Sequence, residues 1–201
     1  MKINQIILYM LGCFLFSIGA TLFILSGLGT DPLDVFAVGI KDTFGLMIGT
    51  TQSLFAITCL LIWSSLNKWK FPPISTFLTF FLCGYMIDIG LWLTNGVSIF
   101  ESVLEMLIGV LLCTQASALI IMSGFGIRAM DLVAITLYQL TNKPFWLYKG
   151  IAEVALLLTG WLLGGPIGIG TIMFLLFVGW SIQPCIRVNE RLGIPNFSPV
   201  K

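Results

Sequence analysis

The sequence predicts an all-α membrane protein: six transmembrane helices in two inverted three-helix repeats, each with a short half-helix after its first span. Three observations carry this. Mean hydropathy is +1.03, with 58% hydrophobic and 9% charged residues, whereas soluble domains average about 25% charged residues. Six stretches are apolar over helix length. Finally, the stretch Ser26–Asp34, SGLGTDPLD, recurs as Ser123–Asp131, SGFGIRAMD, at an offset of 97 residues. Serine, both glycines and the terminal aspartate recur in register, and such self-similarity precedes any other reading of a chain.

A span needs about 20 mainly apolar residues, because the hydrocarbon core is ~30 Å thick and a helix rises ~1.5 Å per residue. The qualifying segments are roughly 5–25, 48–66, 74–94, 102–122, 146–164 and 167–185. The first, with Lys2 ahead of it, has the look of a signal peptide. Its repeat counterpart around Gly109–Met122 lies mid-chain, so the first helix is expected to be retained. Two apolar pieces, 33–43 and 130–141, are too short to span and follow the repeated motif in each half. Residues 1–201 are read as one transmembrane domain, with repeat 1 over about 5–94 and repeat 2 over about 102–185.

Charge placement orients the chain. With six spans and a cytoplasmic amino terminus, every lysine and arginine except Lys41 falls on the cytoplasmic side. Letting the short pieces cross would move Lys68, Lys70 and Arg128 outside, against the positive-inside bias. Trp63, Trp92, Trp146, Trp161 and Trp180 lie near predicted helix ends, where indoles anchor at headgroups. Three spans per half is an odd number, so the second copy enters the membrane upside down relative to the first. Both termini are then cytoplasmic, in a bacterial inner membrane.

The repeated motif has two readings. In one it is a helix–turn–helix corner. Gly27 and Gly124 end the first helix of each half, with Gly29 and Gly126 completing the turns, and Asp31-Pro32 reads as an N-cap followed by proline at the first helical position. In the other, the short helix is a half-helix dipping into the bundle, because irregular backbone at membrane depth is tolerated only inside protein or beside a watery cavity. Two such half-helices would aim at one midplane site. Asp34 and Asp131 would be its related carboxylates, Arg128 their counter-charge, and the glycine corners its hinges.

Asp88 and its counterpart Gln183 are expected to flank that centre, although Asp88 lies about 9 Å from its helix end and has an interfacial alternative. Gln52, equivalent to Lys149, sits in Thr50-Thr51-Gln52-Ser53, a polar run able to line a cavity or bond between helices. Lys149 and Glu153 form an i,i+4 pair that explains both residues locally. Gly45/Gly49 and Gly160/Gly164/Gly168 permit close helix approach, a spacing common in apolar chains.

Several classes of function are excluded or disfavoured. The chain has no histidine, hence no Ser-His-Asp triad and none of the commonest zinc ligand. Cys13, Cys59, Cys83, Cys113 and Cys185 lack C-x-x-C spacing, so neither a metal nor a cofactor is expected. No basic cluster suggests nucleic acid. An aspartyl chemistry at Asp34 and Asp131 is the one enzymatic alternative, and the chain is read as no enzyme.

At SGLGTDPLDV, with the same arrangement repeated as SGFGIRAMDLV, the chain resembles the YczE/YitT-like group of bacterial inner-membrane proteins. The resemblance covers nearly the whole chain and implies a small multi-span protein of about this length. It carries over no catalytic or ligand residues. The expected function is a small secondary transporter or permease for an unidentified solute, with a coupling ion and the lipid bilayer as partners. A thin bundle leaves room for a homodimer. The rival expectation is a non-transporting membrane regulator or assembly partner, which would have a solid apolar core.

Overall fold

A computed structural model describes residues 3–125, 128–141 and 143–197. Among them all the regular secondary structure is helical. The first half runs α1 (Ile3–Leu25), α2 (Pro32–Phe44), α3 (Ile48–Leu66) and α4 (Ile74–Leu93). The second runs α5 (Ser102–Met122), α6 (Ala129–Thr141), α7 (Phe145–Leu162), then α8 (Ile169–Met173) leading through a π-helical segment, Phe174–Val178, into α9 (Gly179–Arg191). The short pieces expected after the first span of each half are thus α2 and α6, 13 residues apiece.

Among the described residues four helices are long and apolar enough to cross a membrane: Ile3–Leu25, Ile48–Leu66, Ser75–Leu93 and Ser102–Met122. A fifth span results if Ile169–Val178 and Trp180–Arg191, bent by 51°, count as one. The segment expected as a further span, 146–164, is the 18-residue α7, which carries Lys149 and Glu153. The bend has a local cause. A π segment inserts an extra residue per turn, and Pro184 removes a backbone donor from the helix that follows.

The centre of the bundle is the contact between α1 and α5, which run antiparallel. A Cβ on Gly12 would lie 2.7 Å from Ile120 Cγ1, and one on Gly109 would lie 2.9 Å from Phe23 Cβ. These are the same contact made twice, since Gly12 and Gly109, and Phe23 and Ile120, are each 97 residues apart. Missing side chains at the glycines let the backbones close, as small residues do between membrane helices. Around this axis α4 lies parallel to α1, tied by the hydroxyls of Tyr9 and Thr79 at 2.8 Å and by Ser17 Oγ donating to Cys83 O. In the other half α9 lies beside α5, where Gln115 Nε2 donates to Asn189 Oδ1 at 2.7 Å.

The turn after each central helix is also made twice. Ser26 Oγ donates to Phe23 O at 2.6 Å and accepts from Leu28 N at 3.2 Å. Ser123 Oγ donates to Ile120 O at 2.6 Å and accepts from Phe125 N at 3.2 Å. Gly27 and Gly124 take φ of +66° and +64°, a left-handed conformation that glycine adopts without a Cβ penalty. Gly126 lies outside the described residues.

Helix directions fix which ends share a face. The amino end of α3 meets the end of α4, so α3 finishes at the face where α1 begins. The end of α2 meets Leu163, and Leu28 meets Gly170, so α7 ends at the face where α1 ends. Lys68 and Lys143 therefore emerge on one face. Gly12→Leu should destabilise the protein by about 1–3 kcal/mol through overpacking, whereas Gly150→Ala, where a Cβ meets open space, should leave the midpoint of thermal unfolding unchanged or raised.

Candidate functional site

After α1 ends at Leu25 the chain does not leave the bundle; it doubles back. The guanidinium carbon of Arg128 lies 5.5 Å from the ring centroid of Phe16, near the middle of α1, and Arg128 Nη2 stands 3.6 Å from Asp31 Oδ2. Residues 26–31 thus return from the end of α1 to its mid-point, and Arg128 returns from the end of α5 to meet them. Asp31 and Arg128 are themselves 97 residues apart, as are Phe16 and Cys113, whose Sγ reaches Phe16 O at 3.9 Å.

The two short helices start at this level. Asp31 caps α2, its Oδ1 accepting from Asp34 N at 2.9 Å, with Pro32 supplying the fixed φ of the first helical residue. Asp31 O accepts from Val35 N at 2.8 Å and Arg128 O from Leu132 N at 3.0 Å, so α2 and α6 open in the same way. Asp34 and Asp131 occupy the first turns, where the helix dipole favours an anion. Arg128, by contrast, puts a cation at a positive helix end, and the Asp31 carboxylate and the face of Phe16 offset that repulsion.

Each first-turn aspartate reaches the long helix of its own half. Gln52 Nε2 donates to Asp34 Oδ1 at 2.6 Å. In the equivalent place Lys149 Nζ lies 3.5 Å from Asp131 Oδ1, and 3.8 Å from Glu153 Oε1. One architectural contact is therefore neutral-to-anionic in the first half and an ion pair in the second. The Lys149–Glu153 pair is local as the spacing suggests, but its lysine also bridges to α6.

These residues floor a cavity of ≈ 720 Å³ lined by both halves. Its walls include Phe80 and Phe174, and it runs past Ser75, Phe125 and Lys149 towards the face where α1 begins. The opposite face is closed by backbone packed on backbone. Gly170 N donates to Leu28 O at 2.8 Å, a Cβ on Gly160 would stand 2.6 Å from Phe36 N, and a Cβ on Gly39 would stand 2.6 Å from Gly160 O. Gly29, at φ +101°, lies against Gly168 and Thr171 in the same seal.

The structure thus brings Asp34, Asp131, Arg128 and Gln52 together, and adds Asp31, Phe16, Lys149 and Glu153. It does not bring Asp88 or Gln183 to the cavity. The Asp88 carboxylate accepts from Ile48 N at 3.0 Å and Gly49 N at 2.7 Å, capping α3 from α4. Gln183 is exposed on α9. Glu105, fully buried, clamps the connection between the halves by accepting from Ile99 N at 2.6 Å and Phe100 N at 3.1 Å. No signal beyond its position at the start of an apolar helix marked it.

A helical membrane protein with a charged cavity floor level with the middle of α1 is the class these features define. The chain belongs to the family of unknown function DUF6198, whose model matches residues 3–187. It is 27% identical over 187 residues to the uncharacterized protein YyaS of Bacillus subtilis, covering 91% of this chain and 92% of that one. It is 28% identical to an uncharacterized protein of Haemophilus influenzae, covering 95% and 86%. It is also 28% identical to the uncharacterized membrane protein YczE of Bacillus subtilis, covering 87% and 82%. No solved structure matches the chain.

Removing one partner of a low-dielectric ion pair strands the other. Arg128→Met should therefore cost about 2–3 kcal/mol, below the full buried-pair loss because Arg128 is 28% exposed. Arg128→Met combined with Asp31→Leu should recover part of that loss, the remainder being the α2 cap, about 1 kcal/mol. Thermal unfolding of the single and double variants in detergent measures both.

Proposed function

We propose that this protein is a small secondary transporter of a bacterial inner membrane, with both termini cytoplasmic, rather than an enzyme or a passive assembly partner. The observation that carries the reading is the ≈ 720 Å³ cavity, floored at mid-depth by ionisable residues from both halves and sealed on one face. Ionisable groups at membrane depth are costly and mark solute or ion pathways. A regulator acting through its surface has no need of them.

The two halves are read as an inverted repeat crossing the membrane six times. Support comes from the antiparallel α1–α5 contact made twice at the 97-residue offset, and from self-equivalent contacts at Phe16–Cys113 and Asp31–Arg128, where a pseudo-two-fold axis would pass. Half-helix amino ends meeting at the midplane are the arrangement transporters of this kind use for charged substrates. With the amino terminus inside, the cavity faces the cytoplasm, and the glycine seal faces outward.

Alternating access then has a stated geometry. In the first half α3 and α4 pack closely, with a Cβ on Gly49 standing 2.6 Å from Tyr85 N. Among the described residues no comparable packing joins α7 to α9. The counterparts of Gly49 and Tyr85 are Trp146 and Trp180, which are exposed. In the outward-facing state α9 closes on α7, and α4 parts from α3. The bend at the π segment and Pro184 supplies the freedom for this.

A growth and metabolite comparison of a deletion strain with its parent names the solute, and uptake of that solute into reconstituted vesicles tests the site. Asp34→Asn should lower uptake by about tenfold or more, the loss of one charge-assisted contact, and Asp88→Asn by far less. Unchanged uptake in both Asp34→Asn and Asp131→Asn would remove the floor from the pathway. A Trp146→Cys/Trp180→Cys pair should cross-link more readily when the outward-facing state is populated by external solute.

A further inference from the structure

The cavity floor has an imbalance that bears on what it carries. Four carboxylates reach it, Asp31, Asp34, Asp131 and Glu153, against two cationic side chains, Arg128 and Lys149. The amino ends of α2 and α6 add a partial positive charge of about +0.5 each. Counted as ionised, these groups leave one negative charge over the floor as a whole. Asp31 pairs with Arg128, and Asp131 and Glu153 share Lys149, so Asp34 is the one of the four carboxylates with no ion-pair partner among the described residues. Asp34 has only the neutral amide of Gln52 on Oδ1, and its Oδ2 takes no hydrogen bond from any described residue. Its side chain is 2% exposed and lines the cavity.

The rest of the cavity is apolar and aromatic. Phe80, Phe125 and Phe174 stand on its walls, while the ring of Phe16 is already covered by Arg128. Aromatic faces attract weakly hydrated cations, quaternary ammonium groups above all. An anionic solute would have to displace Asp31 from Arg128 and bring a further negative charge beside Asp34. A small hydrated metal ion would leave the phenyl walls unused.

Resting on the transport reading above, we infer that the solute is an organic monocation, a substituted ammonium group on a compact apolar body. Its charge docks on Asp34 and its body lies against the cavity phenylalanines. Asp34 supplies the counter-charge, Gln52 fixes the carboxylate, and Arg128, which also lines the cavity, is paired with Asp31.

The test uses the full chain purified in detergent and three probes of similar size and opposite or no charge: benzyltrimethylammonium, benzyl alcohol and phenylacetate. Equilibrium binding should be saturable for benzyltrimethylammonium alone, weakened about tenfold or more in Asp34→Asn, and kept in Asp34→Glu and Asp88→Asn. Saturable binding of phenylacetate in place of the cation would overturn the inference and leave transport standing. So would cation binding of equal strength in the wild type and Asp34→Asn. The wild-type comparison of the three probes decides the sign of the site even if Asp34→Asn does not fold. Saturable cation binding without any exchange of the cation across reconstituted vesicles would keep the site and overturn the transport reading instead.

Discussion

The antiparallel contact of α1 with α5, where Gly12 meets Ile120 and Gly109 meets Phe23, is the constraint that sets the depth of everything else. Because each helix ends in a left-handed glycine turn of the same make, the chain is thrown back along the helix it has just completed. It returns to the level of Phe16 from both ends of the bundle. At that level α2 and α6 begin, and Asp31, Asp34, Arg128 and Asp131 gather around one cavity. Larger side chains at Gly12 and Gly109 would spread the pair, and Asp31 could no longer reach Arg128.

Buried charge at this level persists because most of the groups are answered. Asp31 answers Arg128 and caps α2 as well, so one carboxylate closes both a helix end and an ion pair. Lys149 holds two carboxylates, one on its own helix and one on α6. The amino ends of α2 and α6 stabilise aspartates in their first turns. The outlier is Asp34, whose partner in the matching position is an amide rather than an ammonium. The exchange of Gln52 for Lys149 makes the first-turn aspartate's contact electrically unlike in the two halves.

Much of this was legible in the residues. The repeated serine–glycine–glycine–aspartate motif announced two equivalent corners, and the serines make the same pair of hydrogen bonds in each. The short apolar pieces flanked by Asp31-Pro32 and Arg128 announced helices too brief to span. Other features depend on distances that sequence spacing does not encode. That residues 97 apart touch at Asp31–Arg128 follows only once α1 and α5 are antiparallel and the turns have folded back. Asp88 was singled out for its charge, but its work is to cap α3, a contact between residues 40 positions apart. Gln183 matched Asp88 by count and not in space, since it lies exposed on α9 beyond a 51° bend. Phe16 was one phenylalanine among 16, and only the guanidinium above it sets it apart.

The account stands on the orientation of the two halves, and sidedness tests that most directly. Single cysteines at positions 43, 68, 95 and 143, in a chain otherwise free of cysteine, can be challenged in intact cells with a membrane-impermeant thiol reagent. Cysteines at 43 and 95 should be labelled from outside, and those at 68 and 143 only after the cells are opened. Labelling of 68 and 143 from opposite sides would mean that the second half does not enter the membrane inverted, and the shared mid-depth floor would lose its basis.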